Sequence, residues 1–399
     1  MRVALPRRVA AAVLACAVAL AAAWALTETR NARAQEPLVI HSTLPPWSAP
    51  GTILRLRGRT TAETAVELWI GGKRRASTTS GAGGGFSFRV RAPWTRGRYP
   101  VAVVAGDARV ALGALRVRPL ALAAVGDVTF GDGVATAIAR HGPRWPWLSV
   151  APALRAADLA VANLEGAVST RGAPVPGKLY TFRGPPSALR AAASFAGIDV
   201  VSLANNHSLD YGRTAFLDTI ANARRFGLRT TGGGSSLTTA RRPAIVRRGG
   251  LRVAFLGFSD VRPLGFDADA GRPGTVPAFP EIIRADVRAA RRRADVVVAY
   301  FHWGVERTTV PTWRQRSLAA TALDAGATVV LGAHPHVLQP VERRGRRLVA
   351  WSLGNFVFAA HSPSTARTGI LRIRLDARGV VGTSFRRARI DWVQPRLIR

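Results

Sequence analysis

Hydrophobic and polar positions change rhythm twice along the chain. An unbroken apolar run from position 9 to 26 follows Arg2, Arg7 and Arg8. From 37 to 118 the apolar runs are short (53–56, 65–70, 86–90, 99–104) and are separated by Gly-rich turns at Gly71-Gly72 and 81–85, which predicts strands of a small all-β sandwich. From Leu120 the runs at 121–125, 159–162, 200–204, 253–258, 296–301 and 329–331 are apolar throughout, as in strands covered on both faces. Stretches with helical spacing at 186–196, 214–226, 280–294 and 312–325 lie between many of them, so the pattern predicts a parallel-rich α/β core. A hairpin over 244–256 turns at Gly249-Gly250, and a closing antiparallel set at 348–352, 370–375 and 380–390 predicts a second sheet packed on the first. The expected architecture is a layered sandwich with helices outside.

The first 35 residues read as an export signal, with a basic start, an apolar run and Ala32-Arg33-Ala34 as a small-x-small cleavage site before Gln35. The run is also long enough to serve as an uncleaved membrane anchor. Either way the domains are expected outside the cytoplasm, in the cell envelope or secreted. Cys16, the sole cysteine, sits inside the run after Val13-Leu14-Ala15, and the bulk of Leu14 argues against a lipid-acylation site. After cleavage no cysteine remains, which excludes disulfides and thiolate chemistry.

Composition adds 48% hydrophobic and 20% charged residues, enough apolar surface for a core and unlike a disordered chain. The formal charge of +34 would suit polyanions, yet only Lys73 and Lys178 of the 57 basic residues are lysine, as when base composition favours arginine codons. The charge is diffuse, and no segment carries the basic stripe with interleaved aromatics that a nucleic-acid face needs. Domain boundaries follow at 1–35, 36–118 and 119–399. The middle segment offers no chemistry beyond His41, and Gly85-Phe86-Ser87-Phe88 resembles the bacterial immunoglobulin-like modules of exported proteins, so it is expected to be a spacer or adhesion module.

The polar residues of the last segment cluster at strand ends. Asp127 follows the run at 121–125, Asn163 and Glu165 follow 159–162, and Asn205-Asn206-His207 follows 200–204. Downstream, His302 and Glu306 follow 296–301, and His334 and His336 follow 329–331. Ligands of open α/β sheets bind beyond the carboxyl ends of the strands, so these loops converge carboxylate, amide and imidazole on one rim. Without thiolates, that set suits a divalent metal, one or two ions of zinc, manganese or iron, with positions open to water and substrate.

The stretches GDVTFGDG from Gly126, ADLAVANLEG from Ala157, SLANNHSLDYG from Ser202, FHWGVE from Phe301, GAHPHVLQPVE from Gly332 and WSLGNFVF from Trp351 resemble, in order, the CapA family of capsule or poly-γ-glutamate biosynthesis proteins over about residues 120–360. That family is similar in fold to calcineurin-like metallophosphatases, which implies a four-layer α/β/β/α sandwich. The resemblance implies Asp127 and His336 on a first metal, Glu165 as the bridging carboxylate, and Asn206, His302 and His334 on a second. His207 would be the acid that protonates a leaving oxygen, oriented by Asp210, while Glu306 and Asn355 would contact substrate, with a buried hydrogen-bonding role open for Asn355. Two departures stand out: Asp127-Val128-Thr129 lacks the histidine of the usual Asp-x-His, and Glu165 replaces an aspartate.

Two functional classes remain open. One is an exported metal-dependent hydrolase or transferase acting on a phosphoester or amide of a cell-surface polymer. The other is a non-catalytic assembly or export factor that binds an anionic polymer such as poly-γ-glutamate beside membrane-embedded synthesis or export proteins. Arginine forks suit either.

Overall fold

A computed structural model describes residues 36–398, so the stretch expected to be an export signal and Cys16 lie outside the described residues. No helix among the described residues is long and apolar enough to cross a membrane.

The chain forms two compact units. The first takes in residues up to Pro46, Ile53–Val90 and Arg98–Arg116. It contains a three-stranded sheet ordered Val39–Ile40, Ile53–Arg59, Gly85–Arg91 and a four-stranded sheet ordered Lys73–Thr79, Ala65–Ile70, Gly97–Ala105, Ala108–Val117. Alternation sets the faces. Along Ile53–Arg59, Leu54 and Leu56 are buried while Arg55, Arg57 and Arg59 face water, as a period of two requires.

The second unit comprises Val117–Arg399 together with Trp47–Thr52 and Arg91–Gly97, two pieces from inside the stretch that alternation assigned to the β module. They are integral to it: Ala49 is fully buried in its core, and the Ala49 amide donates to the Gly249 carbonyl at 2.7 Å. The Trp47 ring carries the Arg118 guanidinium 3.8 Å from its centroid. The expected boundary at 118 therefore cuts through this unit.

Two sheets make up its centre. The first, eight-stranded, runs Arg229–Thr231, Val200–Ser202, Leu159–Leu164, Leu120–Val128, Arg367–Asp376, Gly379–Asp391, Gln394–Leu397, with Asn355–Val357 also paired to the Leu120 strand. The second, six-stranded, runs Ala244–Arg248, Leu251–Ser259, Val296–His302, Val329–Ala333, Arg347–Ala350, Val341–Arg344. Leu122, Ala124 and Val161 of one sheet meet Val253, Val298 and Leu331 of the other in a shared core. On the outer face of the first sheet lie Val134, Leu154, Leu189 and Phe216 from helices Asp132–His141, Ala151–Arg155, Pro186–Ala191 and Gly212–Arg225. Beyond the second, Ile283, Val287, Leu318 and Ala322 come from Pro280–Arg293 and Trp313–Ala325. Each fully buried Leu, Ile or Val contributes about 1.5–3 kcal/mol, so the four layers are held mainly by this burial.

The helices bounding the second sheet carry local stop and start signals. Thr312 and Gln315 form a capping box, Gly326 ends that helix in the left-handed region, and Pro280 opens the other helix, whose last turn holds Arg291, Arg292 and Arg293. Cations there oppose the negative end of the helix dipole.

The sheet partition corrects the expectation. The six apolar runs divide between two sheets, three in each, and the closing antiparallel set splits: Arg347–Ala350 lies parallel to Val329–Ala333 in the second sheet, while Arg367–Asp376 pairs antiparallel with Leu120–Val128 in the first. The reason is physical. An apolar run reports burial on both faces but not which neighbour buries it, and the Leu120 strand has an edge that the C-terminal hairpin covers.

Candidate metal centre

Asp127 stands where the Leu120 strand is forced to bend. A Cβ added to Gly126 would lie 1.8 Å from the Gly354 carbonyl oxygen, so only glycine lets the two backbones approach. The Asp127 amide donates to that same oxygen at 2.9 Å, and pairing with the Leu159 strand slips between Ala124 and Asp127. Such a bulge re-aims the side chain that follows. Asp127 is consequently fully buried, with Oδ1 accepting from Asn163 Nδ2 at 2.9 Å and Oδ2 lying 3.3 Å from the His334 amide and 3.2 Å from His336 Nδ1.

Glu165 lies at the middle of the cluster. It is fully buried, and its Oε1 has no hydrogen-bond partner among the described residues. Three imidazoles nevertheless point toward that oxygen: His207 Nε2 at 3.8 Å, His302 Nε2 at 3.9 Å and His336 Nε2 at 3.8 Å. A buried carboxylate oxygen without a donor is costly, several kcal/mol if charged, unless a cation meets it. Burial, reinforced by the Asp127 carboxylate, pushes the Glu165 carboxyl well above the usual range. Burial and the adjacent His334 and His336 hold His302 well below the ordinary imidazole value, and burial and His336 bring His334 down to about 4. His336 moves the other way: loss of water would lower it, but Glu165 and Asp127 hold it up at about 10. His336 would surrender that proton on meeting a cation, the usual coupling of ligation to deprotonation. The orphaned oxygen and this donor set therefore fit a divalent ion, with Asp127, Glu165 and His302 close enough together to share one.

The expected ligands come together. Asn206 Oδ1 is 2.7 Å from His302 Nε2, the His302 and His334 rings lie 4.8 Å apart, and the His334 and His336 rings lie 5.8 Å apart. Beside them, His207 Nδ1 is bonded to the buried Asp210 Oδ2 at 2.7 Å, and the Phe182 ring covers the imidazole at 4.4 Å between centroids. Burial lowers His207 against the opposing pull of Asp210. Glu306 is exposed and lies near His334 and His336. Asn355 is buried with its amide engaged: Oδ1 is 2.8 Å from His336 Nδ1, and Nδ2 donates to the Thr365 carbonyl at 3.4 Å. Its amide is thus placed against His336, as in the buried hydrogen-bonding alternative to substrate contact.

Three further residues belong to the site. Asn163 and Asn205 are joined by a 3.1 Å bond, and Asn205 also donates to the Leu164 carbonyl and accepts from the His207 amide, tying two strand ends together. Lys178 reaches in from the loop before Phe182 to pair with Asp210 Oδ1, and its Nζ is 3.1 Å from His207 Nδ1. Its signal was present in the sequence: it is one of only two lysines in a chain that otherwise uses arginine.

A layered α/β/β/α body with a buried histidine and carboxylate cluster at its strand ends defines the class. Residues 121–360 match the family described as bacterial capsule synthesis protein PGA_cap, and the chain belongs to that family. It is 34% identical over 260 residues to PGA biosynthesis protein CapA of Bacillus subtilis (strain 168), covering 64% of this chain and 67% of the relative. Against capsule biosynthesis protein CapA of Bacillus anthracis it is 31% identical over 267 residues, covering 65% of each. The shared region thus spans about two thirds of these relatives' length. Among solved structures, the 5′-nucleotidase precursor from Thermus thermophilus aligns over 70% of this chain and 54% of that one, at 13% identity and a TM-score of 0.41, a likeness too slight to carry chemistry across.

Proposed function

We propose that the protein is an exported, metal-dependent hydrolase or transferase acting on an anionic cell-surface polymer, with poly-γ-glutamate as the leading candidate. The observation that carries this reading is Glu165 Oε1, buried, unpartnered among the described residues and faced by three imidazole nitrogens. Asp127, Glu165, Asn206, His302, His334 and His336 would hold one or two ions, which when bound supply Lewis-acid polarisation of a phosphoryl or carbonyl oxygen. The chain's own groups do the rest. Asp210 accepts a hydrogen bond from His207 Nδ1 and so leaves Nε2 facing the interior of the site, where the imidazolium form of the ring delivers its Nε2 proton to a leaving oxygen. Lys178, on the other Asp210 oxygen, keeps that carboxylate in place. The net charge of +34 supports attraction of a polyanion, and the PGA and capsule biosynthesis for which the relatives are named supports a carboxylate polymer as its source. The N-terminal unit, read as immunoglobulin-like, would serve as a spacer or adhesion module.

The test pairs metal content with turnover of a generic phosphodiester and of poly-γ-glutamate by the purified chain. Stoichiometric metal with turnover of either supports an enzyme. Polymer binding that survives removal of the metal, with no turnover, would replace it by an assembly factor.

A further inference from the structure

Glu306 sits on a loop that is tightly constrained for one carrying an exposed carboxylate. The loop leaves the strand Val296–His302 and is tied to the neighbouring strand end by two backbone bonds, Trp303 N–H to the Ala333 carbonyl at 3.1 Å and Arg307 N–H to the Pro335 carbonyl at 2.8 Å. Gly304 takes φ +87° where a Cβ would stand 2.7 Å from Gln315 Oε1, so the loop can lie against the capping box of the Trp313 helix only with glycine there. Arg307, His334 and His336 all have positive φ (57°, 92° and 57°), each costing about 1–3 kcal/mol in a residue with a side chain. These constraints bring one ligand atom each of Glu306, His334 and His336 within 4.8 Å of one another. His334 is buried, and its Nδ1 has no hydrogen-bond partner among the described residues. An unpaired imidazole nitrogen beside a held carboxylate and a second imidazole is a ligand set for a divalent cation.

We propose that Glu306 is a metal ligand and that, with His334 and His336, it forms a second cation position next to the one at Asp127, Glu165 and His302. The proposal rests on the metal-dependent reading of the site above and deepens it. His336 lies beside both positions: Asp127 and Asn355 hold its Nδ1, which leaves Nε2, 3.8 Å from Glu165 Oε1, as the nitrogen for the Glu306 group. Glu306 also supplies a carboxylate at a rim where the first motif, Asp127-Val128-Thr129, offers no imidazole. Its exposure places this second position at the mouth, where an arriving anionic group would meet it first.

The metal-stripped full chain is titrated with Mn²⁺, with free ion and the low-temperature electron paramagnetic resonance spectrum read together. Two ions with a spin-coupled spectrum are expected for the natural chain. For Glu306→Gln, whose solvent-exposed position leaves folding intact by circular dichroism, the expected result is one ion with the six-line signal of an isolated centre. Two coupled ions in Glu306→Gln, or a single ion in the natural chain that Glu306→Gln leaves unchanged, would overturn the second position while sparing the first. No ion in the natural chain would remove the metal-dependent reading itself.

Discussion

A carboxylate buried without a donor behaves differently from one that is merely structural. In Glu165→Gln the metal-free chain should be about as stable as the natural one, because Oε1 has no hydrogen-bond donor to lose and burial already pushes the carboxyl toward its neutral form. A ligand that binds only the folded state stabilises it by about 2.7 kcal/mol at a hundredfold excess over Kd, so Mn²⁺ should raise the melting temperature of the natural chain by more than that of Glu165→Gln. A thermal scan with and without metal checks this, and an equal rise in both would remove Glu165 from the ligand set. His207 separates from the ligands by the opposite pattern. His207→Ala should keep its metal and lose about 10²–10⁴-fold in rate on an aryl ester with a poor leaving group, with a smaller loss where the leaving group needs no proton. Metal loss in that variant, or equal rate losses on both esters, would make His207 a ligand or a structural residue. The metal candidates were legible because each lies within a few residues of the end of an apolar run, and Asn163 and Asn205 stand at the same strand ends, where the structure bonds them to Asp127, to the His207 amide and to each other. Lys178 was harder, because it comes from a loop with no periodicity.

At the level of elements, Gly126 is the joint that aims Asp127. Gly126→Ala would force a Cβ to 1.8 Å from the Gly354 oxygen, so the central strand must shift, at about 2–4 kcal/mol and a clear fall in melting temperature. An unchanged melting curve would show that the strand crossing is softer than its geometry indicates. Helices with strong local signals were readable within a few residues: the expected 280–294 and 312–325 are Pro280–Arg293 and Trp313–Ala325, the latter fixed by the Thr312 cap. The expected helix at 186–196 ends its α-helical part at Ala191 and finishes as a π turn, Ala192–Ala196, before Gly197. The sheet partition was not readable. Val161 and Val253 are alike in sequence, and only the long-range contact that joins them in one core reveals that they belong to different sheets.

For the whole molecule, the N-terminal third does more than the alternation suggested. Every candidate ligand lies beyond Leu120, which predicts that 37–118 is dispensable, yet Ala49 is buried in the core between the sheets and Trp94 carries the Arg378 guanidinium 3.7 Å above its ring. A chain starting at 119 should therefore melt below the chain that retains Trp47–Thr52 and Arg91–Gly97, and coincident melting curves would show those two segments to be passengers. Export belongs to this scale as well: a reporter fused after Arg399 should be active only outside the cytoplasm, and cytoplasmic activity would contradict the proposed location. The most direct measurement is anomalous scattering from crystals of the full chain grown with Mn²⁺. A peak within bonding distance of Glu165 Oε1 and the His302 imidazole is the expected result; a well-ordered site with no peak there would contradict the metal centre.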